Sequence, residues 1–480
     1  MSKRDIAVYG SLRTSFLACC IAVALVSEAI LFTSDHMHRR VSNALADRPT
    51  ETSLNPGRLL TGSTQSNRYL LELTFSNIQD SYYKPVEAQL LLNGEQRELT
   101  AYLKRHGIDA RLPHLFATGN REHDELLLDK DLRLAESLYG KQPPVELREA
   151  ALHGILDSLG DPYTTYLSPA EINHLEESLR GGDFGGIGVY IMQDPRTKHI
   201  VVDPIEDTPA YKMGIKLGDE IVSVNGTPAN TLTLANVEHL IRGRVGTAVL
   251  LVVRSHASSR ERTISVVRAH ILVPSVHAKM EEGFEYVRLS DFGQTSGDEV
   301  RRALLSGKQH HARGYILDLR DNGGGLLDSA VQVSSLFIPE GTIVSTIDRS
   351  GSRDVKEALH TSIGVSPLVI LVNQYTASAS EITAGAVQDY KAGVLIGTRT
   401  FGKGVVQSIY SLGPENGALK ITTARYVTPL GRDIHHKGIN PDLIVQQPIE
   451  ENIIDSPRDL QLLAAKDYLR RHSAPRVTSL

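Results

Sequence analysis

Ser378 and Lys403 stand in two short stretches that each carry the marks of chemistry. The first reads Asn373-Gln374-Tyr375-Thr376-Ala377-Ser378-Ala379-Ser380-Glu381. The second reads Gly397-Thr398-Arg399-Thr400-Phe401-Gly402-Lys403-Gly404-Val405-Val406-Gln407. Together they point to a hydrolase whose nucleophile is a serine hydroxyl and whose base is an amine rather than an imidazole. A lysine in water holds its proton at neutral pH and takes none from a serine. Burial disfavours the ammonium and moves the group toward the neutral form that such a base needs. Gln407, four residues on, is placed to hold a neutral amine by a hydrogen bond.

The flanking patterns say how these residues are positioned. Pro367 to Val372 is a short apolar run, the mark of a buried strand. Glu381 to Tyr390 places Ile382, Ala386 and Tyr390 at four-residue spacing, which predicts an amphipathic helix. Ser378 therefore sits where a strand turns into a helix. Free backbone N–H groups and the positive end of the helix dipole gather there, which suits a nucleophile whose attack creates an oxyanion. Alone, such a serine reads first as a helix cap. Lys403 shifts the reading, because it lies between Gly402 and Gly404 in a turn joining Val394–Ile396 to a strand over Val405–Tyr410. A third stretch, the strand Tyr315–Arg320, runs into Asp321-Asn322-Gly323-Gly324-Gly325 and a helix over Leu326–Phe337. Glycines there let backbone approach a substrate closely.

Five blocks in order, Asp318–Gly325, Thr376–Glu381, Thr400–Gln407, Thr423–Arg432 and Lys437–Asp442, resemble the carboxy-terminal processing peptidases, tail-specific proteases of the S41 type. The resemblance spans roughly residues 145–470. It implies Ser378 as nucleophile, Lys403 as general base and Gln407 as the residue that orients the lysine. It also implies the N–H groups of Gly324 and Ala379 as the oxyanion hole, with no metal or cofactor. The fold implied is α/β: a ClpP/crotonase-like peptidase core with an inserted PDZ domain and an N-terminal helical region. Two positions depart from the pattern, Thr376, where serine is common, and the pair His435-His436, read as surface residues.

Gly181 to Arg268 is similar to a PDZ domain. Gly186, Ile187, Gly188 and Val189 match its peptide-capture loop and strand. Exposed N–H groups of such a loop cradle a terminal carboxylate, and the strand edge accepts the peptide as an added strand. A helix over Leu234–Arg242 forms the other wall. The expected partners are proteins with free, apolar C-termini. An adaptor or activator protein and self-association are further expectations. The competing reading is a non-catalytic or adaptor-gated PDZ scaffold that binds peptides without cutting them.

Composition narrows the rest. With 41% hydrophobic and 22% charged residues in 480, the chain is globular and long enough for two or three domains. A net charge of −5 gives no footprint for nucleic acid. Cys19 and Cys20 are the two cysteines, so the body has no thiol nucleophile. Gly397 to Lys403 has the spacing of a phosphate loop, but Gly404 replaces the hydroxyl residue that would hold magnesium. Lys3, Arg4 and Arg13 precede an apolar run from Phe16 to Phe32, the pattern of export. Ser27-Glu28-Ala29 reads as a cleavage site; the apolar Ile30-Leu31-Phe32 beyond it reads as a retained signal-anchor. Either places the body on the periplasmic side of a bacterial envelope, with the N-terminus in the membrane if the signal is kept. The expected organisation is a signal segment over 1–33, a linker over 34–66, a helical region over 67–180, the PDZ domain over 181–269, the peptidase core over 270–446 and a helical tail over 447–480. The helical region holds an insertion over about 86–144 that has no functional account in the sequence.

Overall fold

The computed structural model describes residues 30–31, 62–140, 143–179, 184–194, 197–205, 207–256, 258–271, 273–448 and 453–473. Apart from Ile30–Leu31, the expected signal segment lies outside them. No helix among the described residues is long and apolar enough to cross a membrane.

After β1 (Ile30–Leu31) come four helices: α1 (Gly62–Ser81), α2 (Ala88–Arg105), α3 (Arg121–Tyr139) and α4 (Val145–Asp157). Their apolar stripes form one core, with Leu71 and Phe75 of α1, Leu92 and Leu99 of α2, Leu128 and Leu132 of α3, and Leu152 and Ile155 of α4 all buried. The helix α1 starts inside the polar stretch read as linker. Two glycines let α2 and α4 touch: a Cβ on Gly94 would stand 2.2 Å from the Gly154 carbonyl oxygen. A turn then leads to β2 (Thr165–Leu167) and α5 (Pro169–Leu179).

The middle unit runs β3 (Phe184–Gly186), β4 (Val189–Gln193), β5 (Ile200–Pro204), α6 (Pro209–Lys212), β6 (Glu220–Val224), β7 (Thr227–Pro228), α7 (Leu234–Ile241), β8 (Ala248–Arg254), β9 (Glu261–Val267) and β10 (Ala269–Ile271). The antiparallel order β4-β5-β6-β8-β9 leaves β4 at an edge. The strands β3 and β10 pair with each other and close the neck of the unit.

The last unit contains β11 (Val276–Glu281), β12 (Phe284–Leu289), α8 (Ser296–Gln309), β13 (Tyr315–Asp318), α9 (Leu327–Ser335), β14 (Thr342–Asp348), β15 (Arg353–Glu357), β16 (Leu368–Val372), α10 (Ala379–Asp389), β17 (Val394–Gly397), β18 (Val405–Ser411), β19 (Ala418–Val427), β20 (Leu443–Ile444) and α11 (Leu460–His472). One sheet has the order β11-β12-β13-β16-β17-β20 and is parallel from β12 onward. The strand β16 is buried at every position, as a parallel strand covered on both faces must be. Alternation along the strands sorts their side chains. Leu317 and Ile370 meet α8, α9 and α10 on one face, while Ile316 and Val369 meet α11 on the other. The second sheet has the order β1-β18-β19-β14-β15, with β2 also on β19. Leu419 and Ile421 of β19 join the core of α1–α4, so the helical layer is built onto this sheet.

Candidate active site

The strand β16 brings the chain to Ser378 and α10 leads it away. Ser378 holds φ 57° and ψ −119°, a positive φ that a residue with a Cβ seldom takes. Neighbours enforce it. The Thr376 hydroxyl donates to the Leu319 carbonyl at 2.8 Å and accepts the Asn373 N–H at 2.9 Å. The Ala377 N–H donates to the Asn322 carbonyl at 3.0 Å. The Ser378 side chain is wholly buried, and its Oγ has no hydrogen-bond partner. Ser378 is also the N-cap of α10, and Glu381 at the third helical position accepts its N–H as in a capping box.

Glu381, one turn into α10, joins the two stretches. Its Oε2 accepts the N–H of Ser378 at 3.0 Å and the N–H of Lys403 at 2.8 Å. Its Oε1 accepts the Thr400 hydroxyl at 2.5 Å and the Gly402 N–H at 2.8 Å. Burial pushes this carboxyl above its usual range, against the pull of those four donors. Tyr426 of β19 adds a second link. Its hydroxyl lies 2.5 Å from the Lys403 carbonyl oxygen and 3.1 Å from that of Ser378. Burial, then Glu381, holds the phenol in its neutral form.

Lys403 is 4% exposed. Its Nζ stands over the ring of Tyr163, 4.8 Å from the centroid. Gln407 is buried, and its Nε2 donates to Thr422 Oγ1 at 3.1 Å. The Gln407 Oε1 accepts no hydrogen bond. The expected Gln407–Lys403 bond is thus not formed. The unpartnered Ser378 Oγ, equally, has no bond to that amine.

Gly324 holds φ 106°, and a Cβ there would lie 2.7 Å from Ser378 Cβ. Only glycine brings this loop against Ser378. Its N–H donates to Asn322 Oδ1 at 2.8 Å, since a buried N–H takes an acceptor within reach. Asn322 is itself fixed by donating to the Leu289 carbonyl at 2.8 Å. Ala379 is the first residue of α10, where an N–H has no intrahelical acceptor. His435, read from sequence as a surface residue, is half-buried, with Nδ1 3.4 Å from the Gly404 N–H. Burial, then His436, lowers its pKa.

In the middle unit Ile187 is buried, and its carbonyl accepts the Ala210 N–H at 2.8 Å. The Gly188 carbonyl accepts from Thr208 Oγ1 at 3.0 Å. Gly186 ends β3, and Val189 begins the edge strand β4. One edge of β4 lacks a strand partner, and α7 packs beside it. Among the described residues, no group of three or more His, Cys, Asp or Glu is arranged to hold a metal.

The sequence reading missed the roles of Glu381, Tyr163, Thr422 and Asn322. Tyr163 is far from Lys403 in sequence, and local spacing carries no sign that its ring meets that residue.

Residues 284–445 match the model for peptidase family S41, and residues 200–255 match one for a PDZ domain. A carboxyl-terminal-processing protease of Synechocystis sp. is 36% identical over 355 residues, which cover 72% of this chain and 83% of that protein. A carboxy-terminal-processing protease of Bartonella bacilliformis is 39% identical over 314 residues, 64% of this chain and 71% of that one. The carboxy-terminal processing protease CtpA of Bacillus subtilis is 34% identical over 334 residues, 69% and 71% of the two chains. A solved photosystem II D1 C-terminal processing protease is 28% identical, with a TM-score of 0.44, covering 79% of this chain and 93% of that one. On these matches the chain belongs to peptidase family S41, among its serine-type carboxyl-terminal-processing members that carry a PDZ domain.

Proposed function

We propose that this chain is a Ser-Lys endopeptidase that captures protein C-termini with its PDZ domain and cleaves exported or envelope proteins. The observation that carries the reading is the Ser378 hydroxyl. It is buried and unpartnered on a residue held at a positive φ, and one carboxylate accepts both that residue's backbone N–H and the Lys403 N–H. In the reaction, neutral Lys403 takes the Ser378 hydroxyl proton as Oγ attacks the peptide carbonyl. The tetrahedral oxyanion is held by the N–H groups of Ala379 and Gly324, the latter turning from Asn322 to the substrate. The C–N bond then breaks, and the lysine returns its proton to the leaving amine. Water, deprotonated by the same amine, hydrolyses the acyl ester and regenerates Ser378.

The amine must leave Tyr163 for Gln407 Oε1 and Ser378 Oγ before this cycle starts. That requirement sustains the second reading, a peptide-binding scaffold that waits for an activator. Both are tested by cleavage of an unfolded protein with an apolar C-terminal tail. Wild type should cut, while Ser378→Ala and Lys403→Ala should bind the tail and not cut. Equal cutting by all three defeats the dyad. Binding without cutting by all three supports the scaffold.

A further inference from the structure

We infer that His435 is a positioning residue for the turn that carries Lys403, and that it holds this turn only while its ring is neutral. This rests on the reading of Lys403 as general base.

The loop after β19 clasps that turn on both sides of the lysine. On one side the His436 N–H donates to the Gly402 carbonyl at 2.8 Å. On the other the Gly404 N–H donates to His435 Nδ1, with 3.4 Å between the nitrogens. Further back, the Ile439 N–H donates to Thr400 Oγ1 at 2.7 Å, and the Thr400 N–H donates to the Ile439 carbonyl at 3.1 Å. The two backbones meet closely. A Cβ on Gly404 would stand 2.7 Å from the His435 backbone nitrogen and 2.9 Å from the His435 Cβ. Asp433 braces the loop from within, since its Oδ1 accepts the His435 N–H at 3.0 Å.

The His435 link differs from the others because its acceptor titrates. Nδ1 accepts an N–H only when the ring is neutral and carries its proton on Nε2. Protonation sets an N–H at Nδ1 against the N–H of Gly404. Two donors then face each other, and Gly404 is buried, so its amide is left unpaired. Lys403 is the adjoining residue, so a displaced Gly404 amide moves the base. The pair His435-His436 is also one of the two positions at which the sequence departs from the S41 pattern.

The surroundings keep the ring neutral into mild acid. Burial is the first cause, and the His436 ring, 3.8 Å away between centroids, is the second. Asp433 and Asp161 oppose them, and Lys84 adds to them. Also close are Tyr163, its ring centroid 6.4 Å from that of His435, and Lys403, whose amine stands over the Tyr163 ring. Glu381 binds the same turn through the N–H groups of Lys403 and Gly402.

The test is the pH dependence of kcat for the full chain on an unfolded protein with an apolar tail, from about pH 4.5 to 9. Lysine and histidine must both be neutral for turnover. Wild-type log kcat should therefore rise with a slope of about two below about pH 6, and of about one above it. His435→Asn keeps an acceptor near the Nδ1 position and cannot titrate. It should match wild type within about twofold at about pH 8 and keep a slope of about one throughout the acid limb. His435→Ala removes the acceptor and should lower kcat about fivefold or more at about pH 8, with little change in KM. Hydrogen exchange at the Gly404 amide reads the same bond without catalysis. It should be faster in wild type than in His435→Asn at about pH 5, and alike in both at about pH 8. Wild-type kcat in His435→Ala, or a slope of about two in His435→Asn, overturns the proposal. Equal exchange in wild type and His435→Asn at about pH 5 overturns it as well. Lys403→Ala runs alongside: wild-type cleavage by that variant overturns the base assignment, a separate failure that leaves the exchange difference standing.

Discussion

A single carboxylate, Glu381, receives the N–H of Ser378 and the N–H of Lys403, and so sets the spacing of two segments that meet nowhere in sequence. Its other oxygen serves Thr400 and Gly402. Glu381→Gln keeps the shape but replaces one acceptor by an NH2 that faces two donors. Each buried donor left unpaired costs about 1–3 kcal/mol, partly offset by removal of a buried charge. We expect a net loss of about 2 kcal/mol in urea unfolding at neutral pH and at least a tenfold fall in kcat, about 1.4 kcal/mol in the barrier. The sign of the pH effect is separable. Burial raises the folded pKa of Glu381 above its unfolded value. The native state therefore keeps the proton longer, and the group's contribution to stability falls as pH rises through the folded pKa. The glutamine variant lacks that slope, so its deficit should be largest in acid and shrink as pH rises through that range. The turns that carry Ser378, Lys403 and Gly324 were legible in sequence, because small residues and glycines between apolar runs announce them locally. Glu381 was visible only as a letter in a motif, since its partners arrive from another strand connection.

Elements are anchored here by buried charge as well as by apolar faces. Arg320, fully buried, donates from Nη2 to Asp318 Oδ2 at 2.6 Å and to Asp459 Oδ2 at 2.8 Å. Burial pushes the Asp318 carboxyl up, but Arg320 beside it prevails and holds it below the usual range. Asp459 also caps α11 by accepting the Leu462 N–H at 3.0 Å. This one residue therefore fixes the last helix to the end of β13, just ahead of the loop carrying Gly324. Asp459→Ala strips a buried guanidinium of one partner and uncaps the helix. The loss should reach about 3–5 kcal/mol, of which the cap is about 1 kcal/mol. Asp459→Asn retains the cap and should lie between alanine and wild type in urea unfolding. Equal stability of all three would remove Arg320–Asp459 as an anchor. The sequence reading expected a helical tail over 447–480, and the helix observed there runs Leu460–His472. Its ionic anchor was not legible, because the pair is 139 residues apart and local period says nothing about distant charges. The Gly94–Gly154 crossing was hidden for the same reason.

At the scale of the whole chain, the helical layer, the PDZ unit and the peptidase core meet the active site by different routes. The helical layer packs on β19, the neighbour of the strand that carries Gln407. The helices α2 and α3 of the insertion, left without a functional account in the sequence, join the same core as α1 and α4. The PDZ unit is tied at its neck by β3 and β10, and it presents the open edge of β4 beside α7. Under the proposed function, an extended peptide added to that edge would gain main-chain hydrogen bonds along β4, and its terminal carboxylate would reach the Gly186–Gly188 loop. The carboxylate is the discriminating element, because strand addition alone accepts any extended segment. A labelled peptide with an apolar, free C-terminus should therefore bind the Ser378→Ala protein. Its C-terminal amide should bind about tenfold or more weakly, about 1.4 kcal/mol, within the range for a hydrogen bond to a charged group. Fluorescence anisotropy reads both affinities without interference from cleavage. Equal affinity for the acid and the amide would detach carboxylate capture from this loop. It would leave β4 as a binder of internal strands rather than of chain ends.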